Sequence, residues 1–174
     1  MVDQLWAAWR VAEMNADRAA GSEMLGGRVP ADRSLFEAIL GCGEPDSSTH
    51  ILWRGERVYA LLNRYPYTNG HLMVVPKRAV ADLEGLEPSE FAELWDGVRR
   101  AITAIKRGLH PDGVNMGANL GEGAGPSVPD HVHVHVVPRW RSDTNFMSAV
   151  ADVRVLPQGL SETWELLREA WPDD

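Results

Sequence analysis

One cysteine, Cys42, in 174 residues rules out an intramolecular disulfide and any zinc site built on paired thiolates. Long apolar runs are also missing, and no stretch approaches the ~20 residues that span a bilayer. Lysine is scarce: Lys77 and Lys106 are the only two among 17 basic residues. Acidic residues outnumber basic ones by 25 to 17, for a net charge of −8. That balance excludes the broad basic face of a non-specific nucleic-acid binder, but not a local pocket for a small anion. Asp3, Trp6 and Trp9 stand where a signal peptide would carry a cationic segment and an apolar core, so the chain reads as cytoplasmic, with neither nucleic acid nor membrane as a partner.

What is present is ordinary for a globular protein, 44% hydrophobic and 24% charged, at a length that suits one domain. Leu5, Trp6, Trp9, Val11 and Met14 have loose helical spacing before Gly21, Gly26, Gly27 and Pro30 interrupt it, so residues 1–33 form an expected N-terminal helical extension and 34–174 the main domain. Ser34 can cap a short helix over 35–40 that ends at Gly41. The pattern then changes to a period of two, which predicts strands over 50–53, 57–63 and 71–75, with turn residues between them. Phe91, Leu94, Trp95, Val98, Ile102, Ile105 and Leu109 predict a long amphipathic helix from Pro88. Strands follow over 114–120 and 131–137, and a last helix over 161–171. Strands gathered around one long helix, without regular βαβ alternation, give an α+β class with a mainly antiparallel sheet and a C-terminal helix.

Residues 130–139 carry the functional signal: Asp130, then His131, His133 and His135 alternating with Val132, Val134 and Val136. On a strand the valines share one face and the imidazoles the other. Half of the six histidines fall within five residues, which speaks against coincidence. Imidazoles at i, i+2 and i+4 can ligate a divalent metal. Alternatively the central one is a nucleophile whose neighbours steer its tautomer and contact a phosphate. The glycine-rich loop at 121–125 and Ser127 supply backbone donors suited to phosphate oxygens, which favours the second reading.

The heptad His-Val-His-Val-His-Val-Val resembles the signature of the histidine triad superfamily. Residues 61–76 (Leu-Leu-Asn-Arg-Tyr-Pro-Tyr-Thr-Asn-Gly-His-Leu-Met-Val-Val-Pro) and 119–140 extend the likeness to its bacterial branch of ATP adenylyltransferases and diadenosine tetraphosphate phosphorylases. The resemblance implies a HIT-like fold that dimerises. It also implies a nucleotidyl hydrolase or transferase that cleaves at the α-phosphate of an adenine nucleotide or dinucleoside polyphosphate. His133 would be the nucleophile that forms a nucleotidyl-histidine. His135 would contact phosphoryl oxygens, and His131 would orient the site or assist the leaving group. Asn63 would bind ribose, His71 is the site histidine of a Gly-His pair, Asn119 and Ser127 belong to the phosphate loop, and Phe36 walls the base pocket or packs a short helix.

Departures from the family temper these expectations. Zinc-bearing members use a Cys-x-x-Cys pair and a later histidine where this chain has Ser34, Glu37 and Ala79, so no structural zinc is expected. No organic cofactor is expected either, and Mg²⁺ would arrive with the substrate rather than in a protein cage. Pro126 removes one N–H from the phosphate loop. The drift at these positions motivates two other readings: an enzyme repurposed for a specialised nucleotide conjugate, such as a phosphoramidate or phosphosulfate, and a binding module without turnover.

Overall fold

The computed structural model describes residues 29–30, 32–141, 143 and 157–173; the extension expected over 1–33 lies almost wholly outside them. In chain order the elements are α1 (Leu35–Gly41), α2 (Asp46–Thr49), β1 (Ile51–Arg54), β2 (Val58–Leu62), β3 (Leu72–Pro76), α3 (Pro88–Leu109), β4 (Gly113–Gly117), β5 (Val134–Arg139) and α4 (Leu160–Glu169). Short 3₁₀ turns at Leu83–Gly85 and Glu122–Ala124 complete the path. The strands form one sheet of five in the order β1-β2-β3-β5-β4, and every pairing is antiparallel. This is the α+β architecture that the sequence implies.

The two central strands explain their own composition. Every residue of β2 and β3 is buried, so both read as continuous apolar runs rather than alternating ones. Leu52, Val58, Ala60, Leu62, Leu72, Val74, Val134 and Val136 face α3 and α4 and build the larger core. On the opposite face Ile51, Tyr59, Leu61, Met73 and Val75 pack against Phe36 and Ile39 of α1 and against Val128. Among the described residues the sheet is therefore covered on both sides, thickly by two helices and thinly by the short α1.

Helix α3 matches its expected bounds. Pro88 occupies its first turn, and Glu87 and Glu90 form a reciprocal capping box. Its closest approach to the sheet is at Gly97, where an added Cβ would stand 2.9 Å from Val74 Cγ1 and 3.2 Å from the Trp53 ring.

Three strand boundaries differ from the sequence reading by more than one residue. β5 starts at Val134 instead of 131: its pairing with β3 begins at Val134 opposite Val74, and β4 stops at Gly117 opposite His135. The extended lead-in is held instead by Val132 N–H, which donates to Val80 O at 2.6 Å. β5 also runs past its expected stop, with Pro138 opposite Val114 and Arg139 opposite Gly113; the Pro138 carbonyl accepts from Thr68 Oγ1 at 2.9 Å. β4 ends at Gly117 instead of 120, because 118–120 leave the ladder and turn toward the cavity described below. The one-turn helix α2, too short for any periodicity to reveal, closes at His50 in the left-handed region at φ 56°.

Gly97→Ala should therefore destabilise the fold by about 1–2 kcal/mol, because crowding stiff Val74 outweighs the better helix propensity of alanine. Urea unfolding reads this directly, and a variant more stable than wild type would show that α3 does not sit so close.

Candidate active site

The valine register decides where the imidazoles go. Val134 and Val136 point into the larger core, so His133 and His135 face the side covered by α1. His131 is fully buried and His133 is 3% exposed, while His135 is half-buried. The cover is aromatic: the Phe36 ring lies 5.4 Å from His131, edge-on, and 5.0 Å from His133. Tyr59 secures that segment of α1 by donating its hydroxyl to Phe36 O at 2.8 Å. Phe36 is thus both core and site wall.

Hydrogen-bond partners then fix the hydrogens. A neutral imidazole has one N–H and one lone pair, a carbonyl can only accept, and a backbone N–H can only donate. His131 Nε2 meets Pro76 O at 2.8 Å and so carries the hydrogen; its Nδ1 accepts from Ser34 Oγ at 2.6 Å. His133 Nδ1 meets His131 O at 2.9 Å, so the hydrogen sits on Nδ1 and the lone pair on Nε2. In His71, Nδ1 accepts from Tyr67 N–H at 3.1 Å, which leaves Nε2–H to donate to His135 Nδ1 at 2.9 Å. His135 then carries its hydrogen on Nε2. Two rings a residue pair apart therefore present opposite chemistry, a lone pair on His133 Nε2 and a donor on His135 Nε2, with ring centroids 4.8 Å apart.

Burial holds both inner rings neutral. Desolvation pushes His131 and His133 below the ordinary imidazole range, and the hydrogen bonds to Pro76 O and His131 O oppose this only in part. The lone pair of His133 is therefore available at neutral pH. Glu37 lies below the usual carboxylate range, chiefly because it accepts backbone hydrogen bonds from Ser34 and Ala79.

Other expected residues join to different degrees. Asn63 does turn work, with Oδ1 accepting from Tyr65 N–H at 2.9 Å, and its Nδ2 also reaches His71 Nδ1 at 3.4 Å. Asn119 lines a cavity of about 200 Å³ with His135, Tyr67, Asn115, Met116, Gly117, Ala118 and Val137. Ser127 is half-buried, and its neighbour Val128 packs with Phe36. Sequence reasoning missed Tyr67, whose ring sits 4.5 Å from His71; its place in an Asn-rich turn hid it. It also missed the contact of Ser34 with His131, although the Ser-x-x-Glu capping spacing marks both Ser34 and Glu37. Among the described residues no group of three or more His, Cys, Asp and Glu is placed to hold a metal, and no helix is long and apolar enough to cross a membrane.

With a row of buried, tautomer-fixed histidines on a five-stranded antiparallel sheet, the class is defined. The HIT domain family model matches residues 44–142, and the chain belongs to that family. It is similar to an AP-4-A phosphorylase of Mycobacterium tuberculosis, 48% identical over 126 residues, which covers 72% of this chain and 65% of that relative. It is 37% identical over 95 residues to an asymmetrical bis(5'-nucleosyl)-tetraphosphatase of Schizosaccharomyces pombe, covering 55% of this chain and 52% of that one. Among solved structures, a Zn-bound histidine triad family protein of Mycobacterium smegmatis superposes with a TM-score of 0.64 at 32% identity, over 79% of this chain and 91% of that one.

Stability should depend on these rings. In the unfolded chain His131 and His133 take up a proton near pH 6.5, whereas in the fold they do so only at lower pH. Between those values the unfolded state binds more protons, so stability is complete above about pH 6.5 and falls as the pH drops through the window below it. Urea midpoints at pH 7.5, 6.5 and 5.5 should decline in that order, with His50, also pushed down by burial, adding to the slope, and less steeply for His133→Asn, which has lost one of these groups. A flat profile would count against neutral buried rings.

Proposed function

We propose that this chain is a nucleotidyl hydrolase or transferase acting through a nucleotidyl-histidine on an adenine nucleotide or dinucleoside polyphosphate. The observation that carries the reading is the fixed tautomer of His133: with its N–H given to His131 O, the only nucleophilic atom left on a buried, neutral ring is Nε2. Attack by Nε2 on the α-phosphorus forms a P–N bond as the P–O bond to the remaining phosphates breaks. The leaving oxygen departs with the bonding pair, and His135 Nε2–H is a suitable donor to a phosphoryl oxygen as charge shifts. The acceptor oxygen then attacks phosphorus, breaks the P–N bond and restores the ring. Because Ser34 and Pro76 engage both nitrogens of His131, orientation rather than proton delivery suits that residue.

The names of the relatives support a dinucleoside tetraphosphate as substrate and inorganic phosphate or water as acceptor. Asn63, beside His71, suits a ribose hydroxyl. Asn119 and Ser127 suit phosphate or its leaving portion, and Phe36 walls the base side. The reaction calls for no resident metal or organic cofactor, and Mg²⁺ enters with the polyphosphate. A homodimer completes the proposal. Met116 on edge strand β4, and Phe91 and Trp95 on α3, are 48%, 43% and 36% exposed, so an edge and an aromatic face stand open for a second copy.

His133→Asn should bind nucleotide yet lose activity by at least about a thousandfold, because the neighbours cannot replace the covalent step. With α-labelled diadenosine tetraphosphate, the wild type should trap an acid-labile label on His133. Products separate the acceptors: ATP and ADP with phosphate, ATP and AMP with water. Near-normal turnover by His133→Asn, or label on another residue, would sink the reading. Solution mass should exceed 19.2 kDa at micromolar concentration; a clean monomer removes the dimer.

A further inference from the structure

His131 is held from two sides by segments that take no direct part in the transfer. Ser34, 4% exposed, accepts from Glu37 N–H at 3.1 Å and gives its own hydrogen to His131 Nδ1 at 2.6 Å. Glu37 accepts from Ser34 N–H through one carboxylate oxygen at 3.0 Å and from Ala79 N–H through the other at 3.0 Å. Ala79 lies three residues after Pro76, whose carbonyl holds the opposite edge of the His131 ring. The start of α1, the turn after β3 and the first histidine thus close into one hydrogen-bonded ring.

A capping box accounts for only part of this. It explains the two reciprocal bonds between Ser34 and Glu37. It does not require the capping hydroxyl to donate into a buried imidazole 97 positions away, or the second carboxylate oxygen to clamp Ala79. Nor do these groups suit zinc. The hydroxyl hydrogen is already aimed at the imidazole lone pair, both carboxylate oxygens are engaged by backbone N–H groups, and Ala79 offers no ligand atom. The mechanical consequence lies one residue further on. Whatever fixes the plane and tautomer of His131 also fixes the peptide whose carbonyl receives His133 Nδ1–H.

We propose that Ser34 and Glu37 are positioning residues for the transfer, a metal-free clasp that holds His131 in one tautomer and so keeps the His133 lone pair aimed. The proposal rests on the reading of His133 as nucleophile, and its test separates the two. Ring nitrogen NMR on the whole protein reports the clasp without turnover: wild-type His131 should show Nε2 protonated and Nδ1 bare. In Ser34→Ala that signature should shift or split, adduct formation in a single turnover should slow about 10–100-fold, and KM and the labelled residue, His133, should stay as in wild type. Ser34→Gly keeps a competent N-cap but no hydroxyl, and should be as slow as Ser34→Ala. Glu37→Gln places an amide N–H₂ against one of the two backbone donors and should slow the step about 3–10-fold. Elemental analysis should find no stoichiometric zinc.

Wild-type rates and unchanged ring spectra in both Ser34 variants would overturn the clasp, as would a Ser34→Gly enzyme as fast as wild type, because the role would then be capping alone. One zinc retained per chain through dialysis would overturn it too. Should Ser34→Ala fail to fold, Ser34→Gly and Glu37→Gln decide the matter. A wild type with the expected ring spectrum that never labels His133 would overturn the reading of the nucleophile and leave the clasp itself supported.

Discussion

A buried neutral imidazole has one hydrogen to give and one lone pair to offer, and once a backbone group claims either, the other nitrogen's role is decided. That constraint organises the whole site. Carbonyls at His131 and Pro76 and the N–H of Tyr67 decide the hydrogens of His133, His131 and His71. His71 in turn decides His135. No side-chain acid is needed to fix the tautomer of His133. The directing groups are peptides whose positions are guaranteed by the fold, so the chemistry is only as well aimed as the end of β3, the turn at 63–71 and helix α1 are well placed.

The sheet accounts for that placement. β5 is an interior strand, opposite Leu72, Met73 and Val74 on one side and Gly113 to Gly117 on the other. Its valines are committed to the α3 face, and a one-residue slip would drive imidazoles into a dry core and valines into the site. Register is therefore set by packing far from the chemistry, including the tight approach of α3 at Gly97. The thin cover on the other face matters equally. Among the described residues α1 and Val128 cover this face, with the Phe36 ring against both inner histidines, so the short helix that carries it must be tied down.

How much of this was legible follows from where the information resides. Helix α3 was readable to both ends, because seven apolar residues at helical spacing and an N-terminal proline are local signals. The alternation of His131, His133 and His135 was equally plain, whereas the burial of β2 and β3 on both faces did not follow from the period-two reading. The start of β5 was not legible, because it depends on where the ladders with both neighbouring strands end. Ser34 read as a cap, which it is, but its bond to His131 joins residues 97 apart, and Tyr67 acts through a backbone N–H that has no side-chain signature. The residues of the site were visible as types at positions. The hydrogens that give them different roles come from long-range backbone contacts that sequence patterns do not carry.

Exposure along the histidine row then orders those roles. His131 is sealed, with both nitrogens bound to protein, and can only hold structure. His133 is nearly sealed at 3% exposure and keeps a lone pair on a ring that burial has made hard to protonate. Such a ring stays nucleophilic at a pH where an exposed histidine would already be partly charged. His135, half-buried, lines the cavity beside β4 and carries a hydrogen outward from the His71 pair. Under the proposed function the strand passes from anchor to nucleophile to donor in steps of two residues. The same burial that lowers stability in mild acid helps to separate three chemically identical side chains into three different hydrogen-bonding states.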